Sequence, residues 1–220
     1  ATVTTTKPAT ASITSSSAES GGNVTADGGA TVTERGICWA TTASPTTTNN
    51  KIAAAAGGTG TFTISITGLQ PGTIYHVRAY AINSSGTAYG SDETFTTLAV
   101  KPTVTTADVT VFTQTTATAG GDVTATGGAD VTEKGVCYAT TANPTTAGTH
   151  IVATTTGLGA FTVALPGLTA GTLYHVRAYA KNSVDTEYGA DKTFTTSAIT
   201  AAAVTTATPG TVTATTAILG

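Results

Sequence analysis

The sequence of 220 residues is poor in charge, sulfur and large aromatic side chains. Charged residues make up 10% of it, aromatic residues 6%, and methionine is absent. Nine Lys and Arg against twelve Asp and Glu give a net charge of −3, with no run of either sign. Because a nucleic-acid partner needs a basic stripe along one face, the composition predicts no nucleic-acid binding.

Long hydrophobic runs are also missing. The longest stretch of small apolar residues, 52–56, is far too short to span a bilayer, so we expect no membrane insertion in this segment. The chain begins with Ala1 and shows no signal peptide. We therefore expect either a processed mature chain or an excerpt of a longer one that would have lost such a peptide.

Threonine, alanine and glycine dominate what is present, and they are arranged in an internal repeat. Three pairs of matching residues lie 99 positions apart: Cys38 and Cys137, Phe62 and Phe161, Tyr75 and Tyr174. Repetition at this length indicates whole domains rather than a solenoid of small units. Because Val204-Thr-Thr-Ala matches Val104-Thr-Thr-Ala, a third copy begins near the end. We predict domains at 1–98 and 99–199, with 200–220 as the initial strands of an incomplete third repeat.

Short segments of Thr, Val, Ile and aromatic residues, separated by turn formers, predict strands and no helix. In the first copy we predict seven: Ala9–Ser16, Ala18–Ala26, Thr31–Thr42, Lys51–Ala55, Thr61–Thr67, Thr73–Asn83 and Thr87–Thr97. Seven short strands in about a hundred residues indicate an antiparallel sandwich. The predicted fold is all-β, with two tandem immunoglobulin-like sandwiches and the first strands of a third.

Two stretches resemble a known family. GLQPGTIYHVRAYAINSSGTAYGSDETFTT, residues 68–97, resembles the second half of a fibronectin type III domain, in which Leu, Pro and Thr lead into a Tyr on strand F. GGNVTADGGATVTERGICWATTASPT, residues 21–46, is similar to a fibronectin III-like variety found in tandem on secreted bacterial surface proteins. The resemblance implies an extracellular or cell-surface location.

The resemblance also gives a role to YHVRAYA, which occurs at 75–81 and again at 174–180. Tyr75 and Tyr174 would be tyrosine-corner residues, each with a buried ring and a hydroxyl bonded to backbone near Leu69 or Leu168. The first tyrosine of the motif is then part of the scaffold rather than of a binding site.

The other half of the motif is a candidate contact face. If Tyr75 points inward, every second residue after it, beginning with His76, points outward, because side chains alternate along a strand. We call these residues the outer stripe: His76, Arg78 and Tyr80, with their copies His175, Arg177 and Tyr179. An Arg and a Tyr two residues apart could stack on a sugar ring or contact a partner protein, or could simply cover the neighbouring strand.

Whether Trp39 and Tyr138 join the outer stripe depends on the parity of the strand that carries Cys38. If Cys38 faces the core, Trp39 faces outward and extends an aromatic patch. If Trp39 faces the core, it fills the space left by small residues on the opposite strand. The sequence leaves both alternatives open.

Each predicted domain contains one cysteine, so a disulfide within a domain is impossible. A bridge between equivalent positions of successive domains is geometrically unfavourable, because the two Cα atoms would have to come within about 7 Å. We predict that Cys38 and Cys137 are free, buried and inert thiols.

Catalytic chemistry has little support. Cys38 with His76 is the one nucleophile and base pair available, and strand parity separates them. The three histidines show no metal-ligand spacing, and neither a phosphate-binding nor a dinucleotide-binding motif is present. We therefore predict no enzyme, no cofactor and no metal site.

A shared site should be retained in both copies, and few charged or titratable positions are. Those that are identical in the two copies are Glu34 and Glu133, Asp92 and Asp191, His76 and His175, and Arg78 and Arg177. Arg35 becomes Lys134 and fails this test of identity. Four scattered positions on strands make a weak active site.

The sequence thus predicts a non-catalytic spacer segment of an extracellular or surface-displayed protein. Short links from Thr97 to about Val104 and from Thr196 to about Val204 predict a semi-rigid rod. Its predicted partners are neighbouring copies or flanking domains of the same protein. One alternative is a filament subunit assembled by strand addition through residues 201–220. Another is an adhesive or carbohydrate-binding module that contacts glycans or a surface protein through the outer stripe.

Overall fold

The computed structural model describes residues 1–200 and residue 204, and these residues are almost entirely β-structure. The first repeat contains one 3-10 turn, Thr10–Ser12, and eight strands: β1 Thr2–Thr6, β2 Ser17–Ala26, β3 Glu34–Ala40, β4 Asn50–Ala53, β5 Gly60–Thr67, β6 Ile74–Asn83, β7 Gly86–Tyr89 and β8 Glu93–Thr96. The second contains nine: β9 Thr103–Thr106, β10 Val111–Phe112, β11 Ala117–Ala125, β12 Glu133–Ala139, β13 His150–Val152, β14 Gly159–Leu165, β15 Leu173–Lys181, β16 Thr186–Tyr188 and β17 Lys192–Thr195.

Each repeat is a sandwich of two antiparallel sheets. In the first repeat one sheet has the order β1-β2-β5, and the other has the order β4-β3-β6-β7, with β8 also pairing β6. The second repeat repeats this plan, with β9 and β10 both pairing β11. The all-β tandem sandwich is therefore confirmed. The predicted third copy lies outside the described residues, as does the segment on which the filament alternative depends.

Two strand predictions are wrong in their bounds. The first strand is Thr2–Thr6, not Ala9–Ser16, and it pairs with β2 so that Thr5 lies opposite Gly22. Pro8 follows it, and since proline has no N–H to donate to a ladder, the chain leaves the sheet there and turns. The predicted last strand is interrupted at residues 90–92 and forms two strands, β7 and β8.

The core lies between the two sheets and is built from small and branched residues. On β6, Val77, Ala79 and Ala81 are fully buried and alternate along the inner face. The sheets approach closely there, since a Cβ on Gly22 would lie 2.6 Å from the Cβ of Ala79. A sequence with few aromatic residues can close such a core because small side chains bring the two layers together.

A cation without an acidic partner holds one loop of each repeat, and in the second repeat this cation is buried. Lys134 is 1% exposed. Its Nζ lies 3.1–3.4 Å from three carbonyl oxygens of residues 157–159 and 5.2 Å from the ring centre of Phe161. In the first repeat Arg35 donates to carbonyls of residues 56–60 and lies 5.3 Å from the ring centre of Phe62. Arg35 therefore holds the loop that precedes β5, and Lys134 holds the loop that precedes β14.

We expect Lys134→Met to destabilise the second repeat by about 1–3 kcal/mol, because the loop carbonyls lose their donor. Lys134→Arg is the matched control and should stay close to wild type, since arginine already fills this role in the first repeat. Urea denaturation followed by far-UV circular dichroism measures the change. Because Trp39 is the one tryptophan and lies in the first repeat, its fluorescence transition should not move. Equal stability of the Met and Arg variants would show that the bonds to the loop contribute nothing.

Candidate functional site

Strand register places the retained polar residues on one face of the larger sheet. On β6, His76 lies opposite Ala40, Arg78 opposite Cys38, and Tyr80 opposite Gly36. The same register in the second repeat pairs β15 with β12. Because residues directly opposite each other in a sheet share a face, the outer stripe and the cysteines lie together on the side away from the core.

His76 is engaged with an acidic residue that also holds a loop. Its Nδ1 lies 3.0 Å from Asp92 Oδ2, and the same oxygen accepts a 2.7 Å hydrogen bond from the Ser44 backbone N–H. Ser44 has a φ of 55°, a left-handed conformation that costs a non-glycine residue energy. The bond to Asp92 therefore compensates a strained position in the loop at residues 41–49.

The second repeat reproduces this arrangement with one different residue. His175 Nδ1 lies 2.9 Å from Asp191 Oδ2, which accepts a 2.9 Å bond from the N–H of Asn143. Asn143 has a φ of 57°, so the left-handed turn is kept although the side chain changes. The retained His and Asp pair thus holds this loop in place in both repeats.

Arg78 also helps to hold the loop at residues 41–49. Its Nε donates to the Gly90 carbonyl at 2.9 Å, and its guanidinium lies 4.7 Å from the ring centre of Tyr89. The Tyr89 hydroxyl accepts a 3.0 Å bond from the Thr47 N–H. Arg177 and Tyr188 repeat these contacts, at 2.9 Å and 4.8 Å. The arginine therefore supports a tyrosine that holds the loop.

Tyr80 and Tyr179 are 0% exposed, so the prediction that they contribute to an exposed stripe is wrong. The Tyr80 ring points to the outer face but packs over Gly36, where an added Cβ would come within 2.8 Å of the hydroxyl. Its hydroxyl donates a 2.7 Å bond to Glu34, which also binds Lys51 at 3.0 Å. Parity gave the correct face, but neighbouring side chains and the loop cover it.

The electrostatics of this tyrosine agree with its burial. Removal from water, followed by the hydrogen bond to Glu34, raises the pKa of Tyr80 well above its ordinary value. The bond from Tyr80, followed by that from Lys51, lowers the pKa of Glu34 below its ordinary value. Tyr179 and Glu133 form the same pair at 2.8 Å, and burial likewise raises the pKa of Tyr179. A raised pKa keeps the Tyr80 and Tyr179 hydroxyls protonated, as donors of these hydrogen bonds.

The two thiols are free and buried under the loop. Cys38 Sγ donates towards the Pro45 and Arg78 carbonyls, at 3.4 and 3.5 Å. Burial raises the pKa of Cys38 to about 11 and that of Cys137 to about 12. A thiol that stays protonated is a poor nucleophile. The Cys38 thiol bonds to these two carbonyls and His76 bonds to Asp92, so no hydrogen bond joins Cys38 to His76.

Trp39 lies on the inner face, which decides the alternative that the sequence left open. It is opposite Val77 in the register and packs against the core of the first repeat. Tyr138 occupies the same position in the second repeat, with its ring centre 6.4 Å from that of Tyr174. Neither residue extends the outer stripe.

The tyrosine-corner residues lie near the start of β6 and β15 and hold the turn that leads into that strand from β5 or β14. The Tyr75 hydroxyl accepts a 3.0 Å bond from the Gln70 N–H, and its ring stacks on Phe95 at 5.7 Å. The Tyr174 hydroxyl accepts a 3.1 Å bond from the Thr169 N–H. Each ring thus anchors the turn before it, at residues 68–73 and 166–172.

Arg35 and Lys134 are the structural residues that the sequence reasoning missed. The comparison between copies asked for identical residues, whereas the loop carbonyls require only a positive charge. A signal was present, because each cation precedes a glycine and stands 27 residues before a phenylalanine. A comparison by charge would have retained this position.

What remains accessible of the outer stripe is small. The His76 and His175 side chains are 22% and 20% exposed, and their Nδ1 atoms are already bonded. Among the described residues no group of three or more His, Cys, Asp and Glu side chains could hold a metal ion. Within residues 1–200 and 204, no helix is long and apolar enough to cross a membrane.

Comparisons with known proteins find similarity to solved structures. No family model matches the chain, and no curated protein matches it. The FN1–FN3 domains of chicken CNTN1 are similar in structure, with a TM-score of 0.49 and 14% sequence identity. The match covers 89% of this chain and 66% of the CNTN1 chain, which is just under two thirds of its length.

We expect Tyr75→Phe to destabilise the first repeat by about 1 kcal/mol, because the Gln70 N–H loses its acceptor. Trp39 fluorescence during urea denaturation measures this change. Tyr174→Phe is the matched control, since it removes the same hydroxyl from the second repeat and should leave the Trp39 transition in place. An unchanged transition in Tyr75→Phe would mean that the corner bond does not stabilise the turn.

We expect Asp92→Ala to free the loop at residues 41–49 and to speed labelling of Cys38 by a thiol-reactive reagent several-fold. Cys137 serves as the internal control, because its loop is still held by Asp191. Peptide mass spectrometry after labelling at neutral pH distinguishes the two sites. Equal labelling of both cysteines, as slow as in the wild type, would show that Asp92 does not close the loop.

Proposed function

We propose that this chain is a non-catalytic spacer segment of an extracellular or surface-displayed protein, in which β-sandwich repeats form a semi-rigid rod. The observation that carries the proposal is the junction between the repeats. Its stiffness would set the distance and direction between whatever lies on either side.

The connection between the repeats has almost no free length. The Leu98 carbonyl accepts a 3.2 Å bond from the Gly72 N–H of the first repeat. The Val100 N–H donates a 2.8 Å bond to the Gly127 carbonyl of the second. Ala99 alone separates the two anchored residues, so the connection cannot act as a flexible coil.

The backbones of the two repeats also meet directly. The turn at 68–73 of the first repeat packs on the turn at 126–132 of the second. A Cβ on Gly72 would clash with the Gly128 carbonyl oxygen, and one on Gly128 would clash with the Pro71 carbonyl. Contact this close between turns leaves little room for the repeats to bend towards each other.

Side chains of the second repeat hold the connection from the other side. Lys101 Nζ lies 2.8 Å from Asp185 Oδ2, and Asn182, which is buried, donates a 2.7 Å bond to the Val100 carbonyl. Exposed ion pairs such as Lys101 with Asp185 contribute little. The buried amide is therefore the more important of the two contacts.

The use of polar residues supports a scaffold rather than a catalyst. His76, Arg78 and Glu34 are each bonded within their own repeat, as are their copies. The extracellular placement rests on the resemblance to fibronectin III-like repeats. Adhesion through the outer stripe stays a prediction for the exposed edges of the His and Arg side chains.

We expect the two repeats of the wild-type chain to share one orientation in dilute solution. Residual dipolar couplings from both repeats should fit a single alignment tensor. Gly128→Ala should disturb the junction, because its new Cβ meets Pro71, and should require two tensors. Gly29→Ala is the matched control, since its φ of 83° is close to the 81° of Gly128 and its Cβ meets no atom within 4 Å. Two tensors in the wild type would contradict the proposal.

A further inference from the structure

A threonine of the smaller sheet fills a gap in the larger sheet of each repeat. In the first repeat the last strand is interrupted at residues 90–92, between β7 and β8. The Thr5 hydroxyl lies at this interruption, where it accepts a 3.0 Å bond from the Ala79 N–H of β6 and donates a 2.6 Å bond to the Ser91 carbonyl. Because Thr5 lies on β1 of the smaller sheet, its side chain bonds the two sheets to each other.

The second repeat has the same contact between its sheets. Here the interruption lies at residues 189–191, between β16 and β17. Thr106 on β9 accepts a 3.0 Å bond from the Ala178 N–H of β15. The contact is therefore a feature of the repeat and not of one copy.

A glycine makes room for the hydroxyl in both repeats. A Cβ on Gly90 would clash with Thr5 Oγ1, and one on Gly189 would clash with Thr106 Oγ1. The alanines that donate the N–H groups are 0% exposed, and a buried N–H without an acceptor is costly. The threonine hydroxyl thus replaces the acceptor that the interrupted strand does not provide.

The chain enters and leaves the second repeat at opposite ends. It enters at Val100, whose N–H donates to the Gly127 carbonyl, and continues into β9. It leaves at Ser197, whose carbonyl accepts a bond from the Gly171 N–H. β15 connects these two ends, because it follows the turn that contains Gly171 and is followed by Asn182, which donates to the Val100 carbonyl. Its nine residues span about 30 Å.

A pull between the repeats therefore acts first on β9, and along the axis of that strand. β9 pairs with β11 in antiparallel register over residues 103–106. A pull along a strand loads its hydrogen bonds together rather than one after another. Thr106 lies at the end of β9 farthest from the connection, so β9 slides along β11 only if the bond between the sheets also breaks.

We propose that the rod carries tension along its length, and that Thr5 and Thr106 keep the first strand of each repeat in place under load. The inference goes beyond the proposed function, because a spacer needs a fixed length but no resistance to a pull. It rests on the proposed function for the direction of that pull, which follows from repeats arranged along a rod.

Single-molecule force spectroscopy of the chain, held at its two termini, tests the proposal. Thr106→Val removes the hydroxyl with little change in volume. It should make one of the two unfolding events about tenfold faster at a given force, which is the effect of about one buried hydrogen bond. In the double variant with Thr5→Val, both events should be faster. Unchanged unfolding rates in these variants would overturn the proposal.

Two further variants act as controls for the hydroxyl itself. Thr106→Ser keeps the hydroxyl and should unfold under force like the wild type. Thr105→Val is the matched control on the same strand, since Thr105 is exposed and its hydroxyl lies 3.5 Å from the Asp122 carbonyl oxygen. It should also behave like the wild type. If Thr105→Val unfolded as fast as Thr106→Val, the bond between the sheets would not be the cause and the proposal would fail.

Lys134→Met separates resistance to force from stability. Lys134 holds the loop that precedes β14 rather than the first strand of the repeat. Its loss should lower the resistance of the second repeat to urea, yet this variant should unfold under force more slowly than Thr106→Val. Equally fast unfolding of the two variants under force would mean that force resistance only follows overall stability, which contradicts the proposal.

The dipolar couplings in dilute solution test the rod without applying force. A chain that fits one alignment tensor but is unaffected by Thr106→Val under force overturns the tension proposal and leaves the proposed function standing. A chain that needs two tensors contradicts the proposed function, whatever its response to force. The two proposals can therefore fail separately.

Discussion

The central strand of the larger sheet, β6 or β15, is covered on both of its faces, and most of the structure follows from that constraint. One face packs into the core. The loop between β3 and β4, or between β12 and β13 in the second repeat, covers the other face. A buried polar group without a partner costs about 1–3 kcal/mol, so each polar side chain on this strand must find a partner within the repeat. His76, Arg78 and Tyr80 each do so. Asp92, the partner of His76, and Tyr89, on which Arg78 packs, are the residues that hold the loop at 41–49 closed.

The same constraint explains why a histidine, an arginine and two tyrosines recur together in both copies. They resemble a binding site in the sequence because they are dense and identical. In the structure they have separate roles: the first tyrosine anchors the preceding turn, the histidine and the arginine hold the loop over a buried thiol, and the second tyrosine is buried and bonded to Glu34 or Glu133. In the first repeat, the turn anchored by Tyr75 is also the one that meets the second repeat. One strand therefore links the stability of a repeat to its junction.

Much of this fold could be predicted from the sequence. The repeat length, the short strands and the alternation of YHVRAYA indicated tandem sandwiches and the faces of the central strand. The burial of Tyr80 could not be predicted. The two-residue alternation of a strand assigns each side chain to a face, but it does not show whether other parts of the chain cover that face. The first strand was misplaced because TVTTT and the segment after Pro8 have similar compositions. The cations Arg35 and Lys134 were missed because the loop carbonyl oxygens accept hydrogen bonds from either an arginine or a lysine, so the residue differs between the copies while the positive charge is kept.

The most direct test of this account is amide hydrogen exchange at Ser44, Thr47, Asn143 and Thr146, whose N–H groups donate to Asp92, Tyr89, Asp191 and Tyr188. If the retained polar residues close the loop over the central strand, these four amides should exchange as slowly as those of the strands beside them. Exchange at the rate of an unprotected loop would contradict the account, since His76, Arg78 and their copies would then face an open surface.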